Sequence, residues 1–264
     1  MATNFPNVLT KHVPLVLSVE TATRAGSLAI LDGERVLWQQ AGESGASHSS
    51  TLLLHLDEGV KSAGVQLREI DVLAVTTGPG SFTGLRTGLA TVMGLAWTLE
   101  VAAVGVPTLH AIAHAEAREQ SHVVALLPAG RGELFAQALE LTAEKNILEL
   151  GAATHITPQK LFESALARTS TIAWVGDGAR LHAGEIRAAA QGQGITFVDE
   201  EQSLTSNVNI WSLAKASTNV LAVDVALLGL KAYHQKKLLR ASELRANYVR
   251  PSDVELKEQC REQG

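Results

Sequence analysis

Short apolar runs separated by polar turns dominate the start of the chain. They lie at 15–19, 27–31 and 35–40, and Asp32 and Gly33 separate the last two runs. An Asp-Gly pair between apolar runs favours a tight hairpin, because both residues tolerate the backbone angles that such a turn requires. The pattern therefore predicts an antiparallel meander of three strands.

A change to helical spacing follows the meander. Ser47 is the predicted cap of a helix that ends near residue 63, and Leu54 points away from its apolar face. The residues predicted to form that face are Leu52, Leu53, Leu56 and Val60. A fourth strand at 72–76 and a second helix at 84–99 complete the order of one ribonuclease-H-like lobe.

The second half repeats this order in looser form. The predicted elements are a second meander at 123–130, 133–141 and 146–156, a helix capped by Thr157 with Pro158 in its first turn, a strand in IAWVGDGA, and an interrupted helix from Ile210 to Leu239. Two similar α/β lobes are expected. We assign residues 1–115 to the first, with a tail at about 1–14, and residues 116–264 to a second, smaller or degenerate lobe with a C-terminal helix and tail.

Composition restricts the classes of function. Of the 264 residues, 46% are hydrophobic and 19% charged, and the formal net charge is -5. A net negative chain lacks the basic surface that RNA-binding domains normally carry, so a role on RNA requires another component to supply most of the contacts. The single cysteine, Cys260, excludes an intramolecular disulfide. With no apolar run of about 20 residues and no secretory leader, a cytoplasmic protein without a membrane span is expected.

A glycine-rich loop joins the fourth strand to the second helix. Its spacing, Gly78, Gly80, Gly84, fits neither the dinucleotide fingerprint nor the phosphate-binding loop of nucleotide hydrolases. Free amides at a helix start attract anions, and Arg86 is placed to assist. The candidate anion or nucleotide loop comprises Gly78, Gly80, Ser81 and Thr83. The alternative is a tight turn without a ligand, in which Ser81 or Thr83 only caps the helix.

The helix at 84–99 carries Arg86 as its only charged residue. One face can cover a sheet, and a second ridge contains Met93 and Trp97. An apolar helix of this kind must be covered on more than one side, either by its own chain or by a partner protein. Leu54 on the preceding helix points to the same surface.

Several segments of the sequence resemble those of a known family. The segments TTGPGSFTGLRTGLATVMGLAW, ETATRAGSLAIL, GVPTLHAIA, RGEL and VGDGA are similar to those of the TsaB (YeaZ-type) family of bacterial tRNA threonylcarbamoyladenosine (t6A) synthesis. The resemblance runs from about residue 15 to residue 178, with a weaker match at ANYVRP. It implies an actin-like ATPase (ASKHA) fold of two ribonuclease-H-like lobes with mixed sheets flanked by helices.

The resemblance also implies a function. Family members are the non-catalytic partners of the paralogue TsaD, which transfers threonylcarbamoyl to N6 of adenosine 37 in tRNAs reading ANN codons, and the ATPase TsaE completes the set. The two first-lobe helices then pair with the equivalent helices of TsaD. The implied interface comprises His48, Leu54, Thr83, Arg86, Ala90, Met93, Gly94 and Trp97. The same surface favours a homodimer when the chain is alone, and tRNA is expected to bind only through the complex.

The sequence departs from the family pattern at two positions. Glu20 replaces the usual aspartate, and Pro128 replaces the acid of the family's D-A-R-x-G-E run. Both changes weaken the case for nucleotide chemistry, so we expect no catalytic residue and no tightly bound cofactor, and an adenine nucleotide only in the complex. The alternative is an active enzyme, either a nucleotide-dependent phosphotransferase or a metallopeptidase.

One pair of histidines invites a metal-site interpretation. His110 and His114 are spaced as metal ligands on a helix. Alignment with the catalytic paralogue nevertheless places its two metal histidines at Thr108 and Ile112, which is two residues away on a different helix face. No glutamate follows His110 to act as a general base. We therefore predict packing or surface histidines and no metal site.

Overall fold

The computed structural model describes residues 13–42, 48–117, 122–144, 146–164, 171–199 and 209–250. The strands are β1 (Leu15–Glu20), β2 (Ser27–Asp32), β3 (Arg35–Ala41), β4 (Val72–Gly78), β5 (Ala102–Pro107), β6 (His122–Gly130), β7 (Glu133–Leu141), β8 (Ile147–Glu149), β9 (Thr154–Ile156), β10 (Thr171–Val175), β11 (Thr196–Asp199) and β12 (Ile210–Leu213). The α-helices are α1 (His48–Ala63), α2 (Phe82–Leu99), α3 (Thr108–Glu116), α4 (Pro158–Glu163), α5 (Asp177–Leu181), α6 (Ala183–Gly192) and α7 (Leu221–His234).

The first sheet has the order β3-β2-β1-β4-β5. β1, β2 and β3 form the expected antiparallel meander, whereas β4 and β5 run parallel to β1. This is the strand arrangement of a ribonuclease-H-like lobe. The sequence analysis does not predict β5, an alanine- and valine-rich strand that follows α2 in the chain.

Both faces of the first sheet are covered by helices. On one face, α1 and α2 pack side by side, and Leu52, Leu56 and Val60 of α1 are buried there as expected. Leu53 was wrongly placed on this core face: its side chain is 65% exposed. Leu53 lies one position after Leu52, about 100° further round the helix, so the two cannot share a narrow stripe.

The opposite face of the first sheet is covered by α3 and α7. The start of α7 is fixed by two buried hydroxyls. Ser18 Oγ donates to the carbonyl of Ala222 at 2.6 Å, and Ser27 Oγ accepts from the amide of Ala222 at 3.1 Å. α7 thus packs on the first sheet although it follows the whole second sheet in the chain.

The second sheet repeats the theme of the first. Its order is β11-β12-β10-β6-β7-β8, with β9 also pairing with β7. β6 and β7 are antiparallel, whereas β10 and β12 run parallel to β6. The expected cap is present, since Thr157 Oγ1 accepts from the amide of Lys160 at 3.4 Å. The mixed two-sheet α/β fold is confirmed.

One part of the second half differs from the sequence prediction. The interval 210–239 was interpreted as an interrupted helix, but 210–213 form strand β12. The run Ile-Trp-Ser-Leu lies between β10 and β11 and pairs in parallel with both, with Trp211 fully buried. Four residues are too few to show a period, so strand pairing decides their structure.

Helix α3 is shared between the two sheets. Its Ala111 packs with the first sheet and α7, whereas Leu109 and Ile112 pack with the second sheet. The expected lobe boundary at 115/116 falls at the end of this helix and stays a prediction. No described helix is long and apolar enough to cross a membrane.

The C-terminal strap, defined here as residues 239–250, links the two sheets. Leu239 pairs with Ala103 of β5, and Leu244 is buried in the core beneath α2. Asn247 then donates its amide to the carbonyl of Thr77 at 2.7 Å, and Val249 packs against the core of the second sheet. After a short 3-10 turn at Ala241–Glu243, the strap runs without regular secondary structure as far as residue 250.

Two glycines of α2 give a matched test of how tightly the start of this helix packs against the turn after β1. A Cβ at position 84 would collide with the carbonyl oxygen of Thr21, whereas a Cβ at Gly94 would meet open space. We expect Gly84→Ala to lower the free energy of unfolding by about 1–3 kcal/mol through overpacking. The control, Gly94→Ala, should raise it by up to about 1 kcal/mol because alanine favours helix. Urea denaturation of both variants checks this, and equal effects would contradict the packing described here.

Candidate functional site: a cleft and an exposed helical ridge

The carboxyl ends of β1, β4 and β5 meet at one edge of the first sheet, where a cleft of about 840 Å³ separates it from the second. The glycine loop forms one wall, and the β6–β7 hairpin and the start of α5 form the other. The residues lining the cleft are Ala22, Thr23, Arg24, Pro79, Gly80, Ser81, Phe82, Thr83, Leu85, Leu127, Pro128, Ala129, Phe135, Asp177, Leu181, Asn247, Tyr248, Val249 and Arg250.

The glycine loop packs closely against the turn after β1. The amide of Ser81 donates to the carbonyl of Ala22 at 2.8 Å, and a Cβ at Gly80 would lie 2.5 Å from that oxygen. Ser81 is also the helix cap, since its hydroxyl accepts from the amide of Gly84 at 3.2 Å. These contacts use groups that a phosphate would otherwise engage.

The four residues of the candidate anion loop do not share one environment in the structure. Gly80, Ser81 and Thr83 line the cleft. Gly78 is buried, with a φ of +114°, and a Cβ there would lie 2.5 Å from the carbonyl oxygen of Asn247. Gly78 therefore packs beneath the C-terminal strap, and anion binding by the other three residues stays a prediction.

Glu20 ends β1 but does not line the cleft. It is 1% exposed, and its carboxylate accepts from the amide and hydroxyl of Thr23, both at 2.7 Å, and from the hydroxyl of Ser27 at 3.3 Å. Desolvation raises the pKa of Glu20, although these hydrogen bonds act in the opposite direction. The carboxylate stabilises the turn that receives the glycine loop.

The β6–β7 hairpin carries the other departure from the family pattern. Pro128 and Ala129 line the cleft and bring no acid to it. Glu133, after the turn, faces His155 at 2.9 Å and Arg250 at 3.9 Å. Among the described residues, Asp177 is the only acidic side chain that lines the cleft, and it pairs with Arg180 at 2.8 Å.

The outer face of α1 and α2 is exposed. Trp97 is 77% exposed and Leu54 56% exposed, while Ala90 and Gly94 are also exposed and Met93 is half-buried against the core. We call this surface, together with Leu53, the α1–α2 ridge. Thr83 and Arg86, both exposed at the start of α2, also belong to this ridge. The side chain of His48 lies outside the described part of the structure.

Leu53 was missed as a ridge residue although a signal was available. Three consecutive leucines at 52–54 cannot all face one core in a helix, because successive residues are turned by about 100°. The two that follow Leu52 must therefore point outward to some degree, and both are exposed.

Arg86 makes specific contacts on this surface. Its guanidinium carbon lies 3.7 Å from the ring centroid of Phe82, and its Nε donates to the hydroxyl of Tyr248 at 3.3 Å. The rings of Phe82 and Tyr248 are 4.9 Å apart. Arg86 is thus stacked on one aromatic residue and hydrogen-bonded to another.

His110 and His114 contact different carboxylates. His110 Nε2 lies 3.1 Å from Glu149, and burial lowers the pKa of His110. His114 Nδ1 lies 2.7 Å from Asp224 of α7. No group of three or more metal-binding side chains occurs within the described ranges.

Comparison with known proteins places the chain in a family. The family model for TsaD, tRNA N6-adenosine threonylcarbamoyltransferase, matches residues 42–249, which is well over half of the chain. The chain belongs to this family. Within it, the similar proteins described next identify a TsaB/YeaZ-type member and confirm the resemblance seen in the sequence.

Two curated relatives are tRNA threonylcarbamoyladenosine biosynthesis proteins TsaB. The protein of Haemophilus influenzae is 32% identical over 123 residues, covering 46% of this chain and 51% of the relative. That of Escherichia coli is 31% identical over 128 residues, covering 46% and 52%. The chain spans about half the length of the curated relatives it matches. The solved structure of YeaZ from Pseudomonas aeruginosa has the same fold, with a TM-score of 0.69 and 23% identity over 89% of this chain and 99% of that one.

Burial of Glu20 predicts a pH-dependent stability. A carboxyl whose pKa is raised by folding stabilises the native state at low pH, and this contribution is lost as pH rises through the folded pKa. The free energy of unfolding of the wild type should therefore fall relative to that of Glu20→Gln between pH 4.5 and pH 8. Urea denaturation of both proteins across this range measures the difference, and a wild-type advantage that grew with pH would contradict the raised pKa.

Proposed function

We propose that this chain is a non-catalytic subunit required for t6A formation, and that it acts by binding a TsaD-type paralogue through the α1–α2 ridge. In this role it supports the threonylcarbamoyl transfer to N6 of adenosine 37 that its partner performs, and it assists recruitment of TsaE. The observation that carries the proposal is the exposed apolar ridge, on which Leu53, Leu54 and Trp97 are each more than half exposed.

The ridge has the composition of a helix-pairing surface. Large exposed apolar side chains stand beside small residues of α2: Ala90 is exposed, and a Cβ at Gly94 would meet open space. Ridges of one helix fit grooves of another where small residues allow close approach. A paralogue with the same pair of helices offers a surface of matching shape, which supports a four-helix contact between the two proteins.

The cleft supports a non-catalytic role. Phosphate transfer requires metal ions held by carboxylates, and a single carboxylate, that of Asp177, lines the cleft within the described residues. Glu20, the residue at the end of β1, is occupied by Thr23 and Ser27. These residues fit a fold that keeps the architecture of its enzymatic relatives while its carboxylates serve packing.

The size of the cleft favours one alternative, a nucleotide-dependent phosphotransferase. At about 840 Å³ the cleft has room for a nucleotide. We propose that an adenine nucleotide binds only in the complex with the partner. Titration of the isolated chain with ATP and Mg²⁺ tests this, and ATP turnover that is lost in Asp177→Asn would establish the enzymatic alternative.

A charge on the ridge tests partner binding. In Ala90→Glu an unpaired carboxylate would be buried against the partner, and we expect the dissociation constant for the TsaD-type paralogue to rise at least about a hundredfold. Isothermal titration calorimetry with both purified proteins measures this change. Leu148→Glu is the control, because Leu148 is 49% exposed but lies on β8 of the second sheet.

The control variant should bind as tightly as the wild type. If Ala90→Glu bound normally, or if Leu148→Glu weakened binding equally, the α1–α2 ridge would not be the contact surface. Both positions are exposed in the isolated chain, so both variants should retain the wild-type melting temperature.

Reconstitution tests the non-catalytic role. With the TsaD-type paralogue, the TsaE-type ATPase, threonylcarbamoyl adenylate and tRNA, we expect t6A to form only when this chain is added. Because we place no residue of this chain at the reacting atoms, Asp177→Asn should support the reaction at the wild-type rate. Mass spectrometry of the digested tRNA measures the product. Transfer without the chain, or loss of transfer in Asp177→Asn, would refute the role.

A further inference from the structure

We propose that Tyr248 is a positioning residue for partner binding: it holds Arg86 on the α1–α2 ridge in an orientation that receives a carboxylate from the TsaD-type partner. This inference rests on the proposed function and adds to it a specific ion pair and the residue that prepares it.

The first observation is the way Arg86 is held. Its guanidinium lies 3.7 Å from the ring of Phe82, and its Nε is bonded to the hydroxyl of Tyr248. Stacking on a ring face and a bond through Nε fix the plane of the guanidinium. No described residue forms a hydrogen bond or ion pair with its two terminal nitrogens. Those nitrogens are the pair that matches the two oxygens of a carboxylate.

The second observation is the anchoring of Tyr248 itself. On one side, Asn247 is bonded to Thr77 at 2.7 Å, and Leu244 is 2% exposed in the core beneath α2. On the other side, Val249 packs in the core of the second sheet. Tyr248 therefore sits on a strap fixed to both sheets, although its own side chain is 44% exposed. A surface residue held in this way loses little further freedom when a partner binds.

The chemistry of the surroundings identifies the partner group. Arg86 is the only charged residue of α2. When an apolar ridge is covered, a guanidinium at its edge becomes partly desolvated and requires an anionic partner to offset that cost. Because the covering surface is itself protein, a carboxylate of the partner is the anion that the site would receive. Arginine is also enriched among the few residues that carry most of the binding energy of protein interfaces.

Binding of the TsaD-type paralogue to the full chain, measured by calorimetry without tRNA, tests the proposal. Tyr248→Phe removes the hydroxyl but keeps the ring, and we expect the dissociation constant to rise about threefold to tenfold. Arg86→Ala should raise it by about tenfold or more. The double variant should bind as Arg86→Ala does, because Tyr248 acts through Arg86.

Two further measurements separate positioning from a general structural effect. Tyr233→Phe is the matched control, since the only other tyrosine lies on α7, on the opposite face of the first sheet, and it should leave binding unchanged. Wild-type binding should weaken with added salt, and Arg86→Ala should reduce that dependence, as expected for an ion pair. Melting temperatures of all variants confirm folding.

The outcomes distinguish this inference from the proposed function. If Ala90→Glu abolishes binding but Tyr248→Phe binds as the wild type, the positioning role is wrong and the partner surface stands. An additional loss from Tyr248→Phe in the Arg86→Ala background would show that Tyr248 acts by another route. A salt dependence that is unchanged in Arg86→Ala would reject the carboxylate. If the wild type does not bind the paralogue at all, both proposals fail.

Discussion

The contact between the turn after β1 and the start of α2 determines much of this structure. Gly80 and Gly84 let the backbone of Ala22 and Thr21 approach so closely that a Cβ at either position would collide with it, and a Cβ at Gly88 would collide with the Thr21 hydroxyl. The Glu20 carboxylate fixes the same turn from within by accepting three hydrogen bonds. Because the glycine loop and the first turns of α2 pack closely against the turn after β1, α2 is held firmly at its start. Its outer face is presented to solvent.

A firmly held helix is what a preformed docking surface requires. Ordering a loose helix on binding would consume part of the interaction free energy, whereas a helix packed along the sheet needs little reordering. The buried face of α2, which includes Leu85, Leu89 and Val92, supplies that packing. The exposed face remains almost free of charge, so the same helix both completes the core of the first lobe and carries the proposed contact surface.

The sequence predicted the fold where local patterns are strong and failed where contacts are distant. Asp32-Gly33 and the glycine loop marked the meander and the start of α2 within a few residues. The place of α7 was not predictable, because it depends on bonds from Ser18 and Ser27 to Ala222, about two hundred positions away. Leu53 was misplaced by assigning too wide a stripe to one helix, and 210–213 were too short for periodicity to identify a strand.

In the candidate site, too, some features could be predicted from local sequence and others depend on distant contacts. The outward position of Leu54 could be predicted because it lies off the core stripe of α1, and that of Trp97 because α2 is nearly uncharged while a core can use only one of its faces. The contact of Arg86 with Tyr248 could not be predicted, since 162 positions separate the two residues. It depends on the path of the strap that carries Tyr248, which begins with the pairing of Leu239 to Ala103 of β5. A sequence pattern can identify the face of a helix. The orientation of a single guanidinium on that face depends on which distant segment packs beside it, and only the three-dimensional structure provides that information.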